Sequence, residues 1–226
     1  MAKPNKIEQV EDDGVLLLDN VVPLSTIRRQ LKQDWFSLHP DIRTRFRRDP
    51  DLGERIVYDG VMQEIRRSKM GWLFAQLTRV IGNPLTPYAG QGVPMRVTLY
   101  KKEGRKGVFW ERAYFYKGRK PFVVTSTKQE SEKGEMMECV GGGFGMVLNV
   151  YAKDESLHFE STRYFWQAFG VRVPLPHWLA PGKTHVVHEN ISENEFRFTI
   201  TMMHDQLGET FYQTGTFKPV NAAPCS

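Results

Sequence analysis

A chain of 226 residues that is 40% hydrophobic, 25% charged and 12% aromatic has the composition of a globular protein with side-chain bulk for a large core or a cavity, which excludes disorder over most of its length. The net charge is +5, gathered mainly in Arg43, Arg45, Arg47 and Arg48 and in Lys101, Lys102, Arg105 and Lys106. No helix-turn-helix, zinc-finger or RNA-recognition pattern accompanies these clusters, so they read as solvated loops and nucleic acid is not taken as a partner.

Residues 1–14 are polar and read as a flexible N-terminus. They lack the apolar core of a signal sequence, and the run Val15 to Leu18 is too short for a membrane span, so the reading is a cytoplasmic protein. Val15 to Val22 suits a short strand or an extended lead-in. Pro23 then favours a helix start, and Leu24, Ile27, Leu31, Trp35 and Leu38 form one apolar helical stripe. Pro40 to Phe46 continues as a second short helix that breaks at Asp49-Pro50-Asp51, which sets a helical region over 24–46. Arg55 to Arg66 alternates as a strand, with Val57, Val61 and Ile65 apolar and Gly60 as the expected bulge. Helical spacing returns over 70–81, where Met70, Leu73, Phe74, Leu77 and Ile81 share a side, and Gly82-Asn83-Pro84 is the stop signal.

From Val93 onward the period is two. Strands are expected at Val93–Tyr100, Val108–Tyr116, Phe122–Glu130, Glu135–Val140, Met146–Ala152, Ser156–Trp166, Thr184–Asn190, Glu195–His204 and Thr210–Phe217, most of them joined by short polar loops. The one long interruption, Phe169 to Gly182, holds Pro174, Pro176 and Pro181 and reads as a lid or end-cap loop. Residues 221–226 read as a flexible tail. A meander this long must curl. The expected fold is therefore mainly β (α+β): one domain over 15–220, an antiparallel meander curled into a barrel or half-barrel, calycin-like or lipid-carrier-like, with the amphipathic helices packed on it or plugging it.

The hairpin from Gly107 to Ser126 carries the first candidate site. Its first arm puts Trp110, Arg112 and Tyr114 on one face and Glu111 and Phe115 on the other. An arginine between two aromatics on a covered strand needs a partner, because a buried guanidinium cannot shed its proton. Glu138 on a neighbouring strand is one candidate. A later strand offers Arg163 on a face with Phe159 and Phe165, and His158 and Glu160 on a face with Tyr164 and Trp166. Two readings stand side by side: Arg112 or Arg163 grips an anionic oxygen against the aromatic wall, or Arg112 and Glu138 form an ion pair that fixes strand register. The ligand-lining set is Trp110, Arg112, Tyr114, Arg163, Tyr164, Trp166, His177, Trp178 and His204, and the acid–base set is Arg112, Glu138 and His158. His185 and His188 fall on opposite faces, the two cysteines, Cys139 and Cys225, have no metal-ligand spacing, and neither a metal nor another cofactor is inferred. Gly141-Gly142-Gly143-Phe144-Gly145 reads as a turn, since a β-run follows it where a phosphate cradle would lead into a helix.

Several strings taken together resemble the bacterial domain of unknown function 4166 family: His39-Pro-Asp-Ile-Arg, the IGNPLTP segment at 81–87, VPMRV at 93–97, Trp110-Glu-Arg-Ala-Tyr114, Glu135 to Gly141 and the lid segment Gly170 to Leu179. The resemblance runs over about residues 36–219. The family pattern has Phe where this chain has Tyr114, which keeps the ring and adds a hydroxyl. The resemblance implies no activity, because the family has none assigned.

Three functions follow from the residues. The first is a β-barrel that binds a small hydrophobic or amphipathic, possibly anionic, molecule. The second is a cyclase, isomerase or hydrolase-type enzyme on the same scaffold. The third is a partner-binding module using the Arg43–Arg48 surface. The first two require an open cavity with Arg112 or Arg163 facing it; the third requires a filled core.

Overall fold

The structure is a computed structural model and describes residues 24–81, 85–169 and 171–220. The expectations for residues 1–22, for the Gly82-Asn83-Pro84 stop and for the tail 221–226 lie outside the described residues.

Eleven strands form the wall: β1 (Arg55–Arg67), β2 (Gly90–Tyr100), β3 (Val108–Tyr114), β4 (Phe122–Glu130), β5 (Met136–Cys139), β6 (Phe144–Lys153), β7 (Ser156–Ala168), β8 (Val171–Leu175), β9 (Lys183–Ser192), β10 (Glu195–His204) and β11 (Gly208–Pro219). They pair antiparallel in chain order, with β7 passing directly to β9 and β11 returning to β1. Ten strands thus close into a barrel, and β8 is one extra strand on the edge of β7. Closure joins the two ends of the meander, β1 and β11, the solution a long meander needs.

Most expected strands lie where the period-two pattern puts them, but three local features differ. The segment after Phe169, expected as a loop, contains β8; its Pro174 sits opposite Phe165 on an outer strand, where a missing N–H costs no ladder bond inside the sheet. The bulge of β1 falls between Met62 and Glu64 rather than at Gly60. Gly60 is instead a point of close approach, where a Cβ would lie 2.2 Å from the Thr216 carbonyl oxygen. Because of that bulge the buried residues of β1 are Tyr58, Met62 and Ile65, while Val61 is exposed.

One end of the barrel is plugged. Helix α1 (Thr26–Leu31), a 3₁₀ turn (Lys32–Ser37) and α2 (Pro40–Phe46) bury Ile27, Leu31, Trp35, Leu38, Ile42 and Phe46, whereas Leu24 drops out of the expected stripe and is exposed. Ser25 caps α1 by accepting from the Arg28 N–H at 3.0 Å, and its hydroxyl donates to the Phe46 carbonyl at 2.5 Å, tying the two helices together. The plug is fastened to the wall by the Asn190 amide donating to Asp41 (2.9 Å) and by the His39 N–H donating to the Glu155 carbonyl (2.9 Å).

Helix α3 (Lys69–Leu77), followed by a 3₁₀ turn (Thr78–Ile81), lies across the other end. Its expected apolar stripe is not its buried face. Gly71 and Ala75 are buried, while Met70, Leu73 and Leu77 are exposed. The cause is backbone proximity: α3 rests on β11 so closely that a Cβ at Gly71 would lie 1.9 Å from the Thr210 carbonyl oxygen, and the Ser68 N–H donates to that same oxygen at 3.1 Å. A Gly71→Ala variant should therefore lift α3 while leaving the barrel closed. Hydrogen exchange is expected to show lost protection over 69–77 with the strands unchanged, at a cost of about 1–3 kcal/mol in stability.

Candidate functional site

Between the helical plug and α3 the barrel encloses a cavity of about 420 Å³. Tyr114, Val124, Val186, Phe198, Ile200 and Phe211 form much of its wall, and Phe74, Leu77, Leu175, Leu179 and Pro181 stand around its mouth. The mouth lies where the wall is incompletely paired. Strands β7 and β9 bond only from Leu157↔His188 to Glu160↔His185. Beyond that point side chains bridge the seam: Ser161 Oγ accepts from the Thr184 N–H (2.8 Å), and the Tyr164 hydroxyl donates to the Gly182 carbonyl (2.7 Å) and bonds the Thr184 hydroxyl (2.6 Å).

The first arm of the Gly107–Ser126 hairpin is β3, with Trp110, Arg112 and Tyr114 facing inward as its alternation requires. Its register with β4 sets Val108 opposite Lys128, Trp110 opposite Ser126 and Arg112 opposite Val124. Lys128 in turn pairs with Glu138 on β5. Three strands thus deliver four polar side chains to one patch of the cavity wall. Arg112 donates to Glu138 Oε1 (3.3 Å) and to Ser126 Oγ (3.1 Å), the Ser126 hydroxyl donates to Glu138 Oε1 (2.6 Å), and Lys128 Nζ donates to Glu138 Oε2 (2.6 Å). All four are buried, Arg112 and Glu138 at 7% exposure and Lys128 at 5%.

Two cations therefore share one carboxylate. Burial alone would raise the Glu138 pKa, but Lys128 and Arg112 outweigh it and hold the carboxyl at about 2. Burial pushes the Lys128 ammonium below its ordinary value, and Arg112 adds to that, against the pull of Glu138. Glu138 accepts from all three of its neighbours and stays ionised, so it has no proton to lend. Only two contacts are needed to tie Arg112 to Ser126 and Glu138, and a guanidinium carries five N–H donors.

His188 faces the same cavity from β9, caged by Phe46 (5.2 Å between ring centroids), Phe198 (5.1 Å), Phe159 (5.9 Å) and Trp110 (6.2 Å). Burial, then the charges of Arg45, Lys128 and Arg112, lower its pKa well below the ordinary value, with Glu138 pulling the other way. Its Nδ1 is buried and has no hydrogen-bond partner among the described residues. Across the cavity the Tyr114 hydroxyl donates to Gln213 Oε1 at 3.0 Å.

Trp110, Arg112, Tyr114, Glu138 and Tyr164 all line this space. The other expected residues lie elsewhere. A bulge at Thr162, where Val147 pairs with Arg163 and Leu148 with Ser161, reverses the alternation of β7. Tyr164 thereby joins Phe159 inside, and Arg163 points outward to an ion pair with Glu135. His158 lies on the outer face, stacked on Tyr151 and hydrogen-bonded to His185 at 3.0 Å, so the expected set of Arg112, Glu138 and His158 is not assembled. Trp166 leans on Phe144 and donates to the Gly142 carbonyl (2.9 Å). Trp178 is turned out from the rim at 66% exposure, and His204 Nδ1 accepts from the Gln206 N–H at its own strand end (3.1 Å). The side chain of His177 lies outside the described residues. Alternation alone did not single out Lys128, Ser126, His188 or Gln213, although the hairpin register, once counted from its turn, sets Ser126 and Lys128 on the face of Arg112.

The Arg43–Arg48 cluster is largely used within the fold. Arg45 stacks on the Phe196 ring at 3.9 Å, where burial lowers its pKa to about 10, and Arg48 is bidentate to Glu54 at 2.6 Å.

Fold and interior together define a closed antiparallel β-barrel, plugged at one end, with a charged cluster in the wall of its cavity. The chain belongs to the family described as Domain of unknown function (DUF4166), whose model matches residues 38–217. It is also 27% identical to the uncharacterized protein YndH of Bacillus subtilis (strain 168) over 207 residues, which cover 86% of this chain and 97% of that protein. No solved structure matches it significantly.

Two buried groups with lowered pKa values, His188 and Glu138, bear on stability in acid. His188 takes up a proton on unfolding, so stability should fall as pH drops below about 6.5, by about 1.4 kcal/mol per pH unit until its lowered folded value is reached. Glu138 contributes fully above its unfolded pKa, and its share is lost as pH falls from about 4.5 through about 2. Denaturant titrations across pH should show both windows. Glu138→Gln should remove the lower one and cost about 3–5 kcal/mol at neutral pH, because Lys128 and Arg112 lose their counter-charge.

Proposed function

We propose that this protein binds a small amphipathic molecule with one anionic end, head group inward against Arg112 and Lys128 and apolar tail toward the mouth. The observation that carries the reading is the charge balance of the buried cluster: two cations and one carboxylate in the wall of a cavity otherwise lined mainly by aromatic and aliphatic side chains. A carboxylate or phosphate oxygen would complete that balance in a low dielectric, where charge-assisted hydrogen bonds are strong. The cavity is within the usual range of small-molecule sites. Its polarity is also graded. Lys128 is opposite Val108 toward the plugged end, whereas Phe74, Leu77 and Leu179 surround the opening. Catalysis finds less support, since Glu138 is locked as an ionised acceptor and His158 is on the outside.

The test compares a sixteen-carbon carboxylic acid with the alcohol of equal chain length, each displacing a fluorescent anionic probe from the purified protein. The acid should bind at least about tenfold more tightly, a difference of about 1.4 kcal/mol. Arg112→Met removes the surplus cation and leaves the Lys128–Glu138 pair balanced, so it should fold and should erase that preference. Equal binding of acid and alcohol, or an unchanged preference in a folded Arg112→Met variant, would overturn the assignment.

A further inference from the structure

The two ends of the barrel have different surfaces. At the open end Trp72 and Leu77 on α3, Phe169 and Val171 at the β7–β8 turn, and Trp178 and Leu179 on the 3₁₀ turn His177–Leu179 are all exposed, and Leu77 and Leu179 among them line the cavity. Phe169 is wholly exposed, and it turns the chain with a φ of +51°, a conformation that bulky residues rarely adopt. Nothing in the packing of the barrel calls for an aromatic ring held out in this way.

The charge at this end is one-sided. Its connecting segments carry Lys69, Arg79, Lys117, Arg119, Lys120 and Arg172, all exposed, against Asp205 as the one acidic residue among the described residues of those loops. Three of the six lean on neutral groups: Arg79 on the Gln76 amide, Arg172 on the Gln167 amide and the Phe165 ring, and Arg119 on the Tyr88 ring. The loops of the plugged end are mixed in sign, with Glu103, Glu132, Glu155 and Glu193 among their lysines and arginines.

From this combination we infer that the open end docks on the surface of an anionic lipid bilayer. Exposed tryptophan and leucine side chains enter the interfacial layer, and the surrounding lysines and arginines face acidic head groups. The sides of the barrel stay in water. They carry ion pairs such as Arg96–Asp59, Arg66–Glu209 and Lys183–Glu160, which would be costly against hydrocarbon. Docked this way, the cavity mouth opens onto the membrane, and an amphipathic molecule could pass tail-last from the bilayer without crossing water. The docking surface does not depend on what the cavity holds.

Flotation of the full chain with phosphatidylcholine vesicles, with and without about 30% phosphatidylglycerol, tests the inference. The acidic vesicles should carry at least about ten times more protein, and the difference should shrink as salt is raised. Trp72→Ser with Trp178→Ser, neither residue lining the cavity, should cut binding about tenfold. Arg79→Glu with Lys117→Glu should abolish the preference for acidic vesicles, and Phe36→Ser with Leu52→Ser at the plugged end should change nothing. Arg112→Met should float like the unaltered chain, so a failed cavity assignment leaves this result standing. Absence of binding to both vesicle types, or binding indifferent to the open-end variants, would overturn the docking surface.

Discussion

The arrangement on which the structure depends is the buried cluster of Arg112, Lys128 and Glu138. Removing three charges from water is costly, and an ion pair in a protein interior often fails to recover its own desolvation. The fold supplies what recovery there is: Ser126 adds a hydroxyl that accepts from Arg112 and donates to Glu138, and Trp110 lies beneath both cations, 4.9 Å from Lys128 Nζ and 5.9 Å from the Arg112 guanidinium carbon. The strand register through β3, β4 and β5 is fixed by the same contacts, since a slip of one residue would turn each of these groups out of the barrel. The cluster is thus a buried ion pair with two cations to one carboxylate, and the proposed anion site rests on that imbalance. Of the two readings that the hairpin sequence left open, the Arg112–Glu138 ion pair is present in the structure, and anion binding by the same arginine is the proposal.

The rest of the barrel encloses this cluster and leaves the cavity beside it. The N-terminal helices fill the end beneath it, so that Phe46 stacks on Trp110 at 6.3 Å and helps cage His188. The opposite end is covered by α3. There α3 touches the sheet through small residues and the seam between β7 and β9 is bridged by Tyr164, Ser161 and Thr184 in place of a continuous ladder.

Much of this was legible in the sequence. Period-two patterning located most strands, α2 was read with its observed bounds, and the inward row of Trp110, Arg112 and Tyr114 followed from alternation within an uninterrupted strand. Legibility failed where a single inserted residue changed the phase. The extra residue at Thr162 inverted the expected faces of β7, moving Tyr164 in and Arg163 out, and the one after Met62 did the same to part of β1. A bulge carries no side-chain signature strong enough to be read without knowing the partner strand. The stripe of α3 misled for a different reason: apolar spacing announces a helix and one apolar face, but not whether that face meets a core, a cavity mouth or an outside partner. Lys128 carries no burial signal of its own, since a charged residue late in a strand ordinarily lies at a solvated end; its place follows from the β3–β4 register, which sets it on the face of Arg112, and from its pairing with Glu138.

The central claim is that the cluster holds an anion, and the ionisation of a bound carboxyl reports on that directly. With a sixteen-carbon acid labelled with ¹³C at its carboxyl carbon, the NMR shift of the bound label can be followed against pH. A carboxylate held by Arg112 and Lys128 should stay ionised below the pKa of the same acid free in water, and should lose that protection in Arg112→Met. A bound carboxyl whose pKa is raised, as simple burial among aromatic rings would cause, would contradict the account.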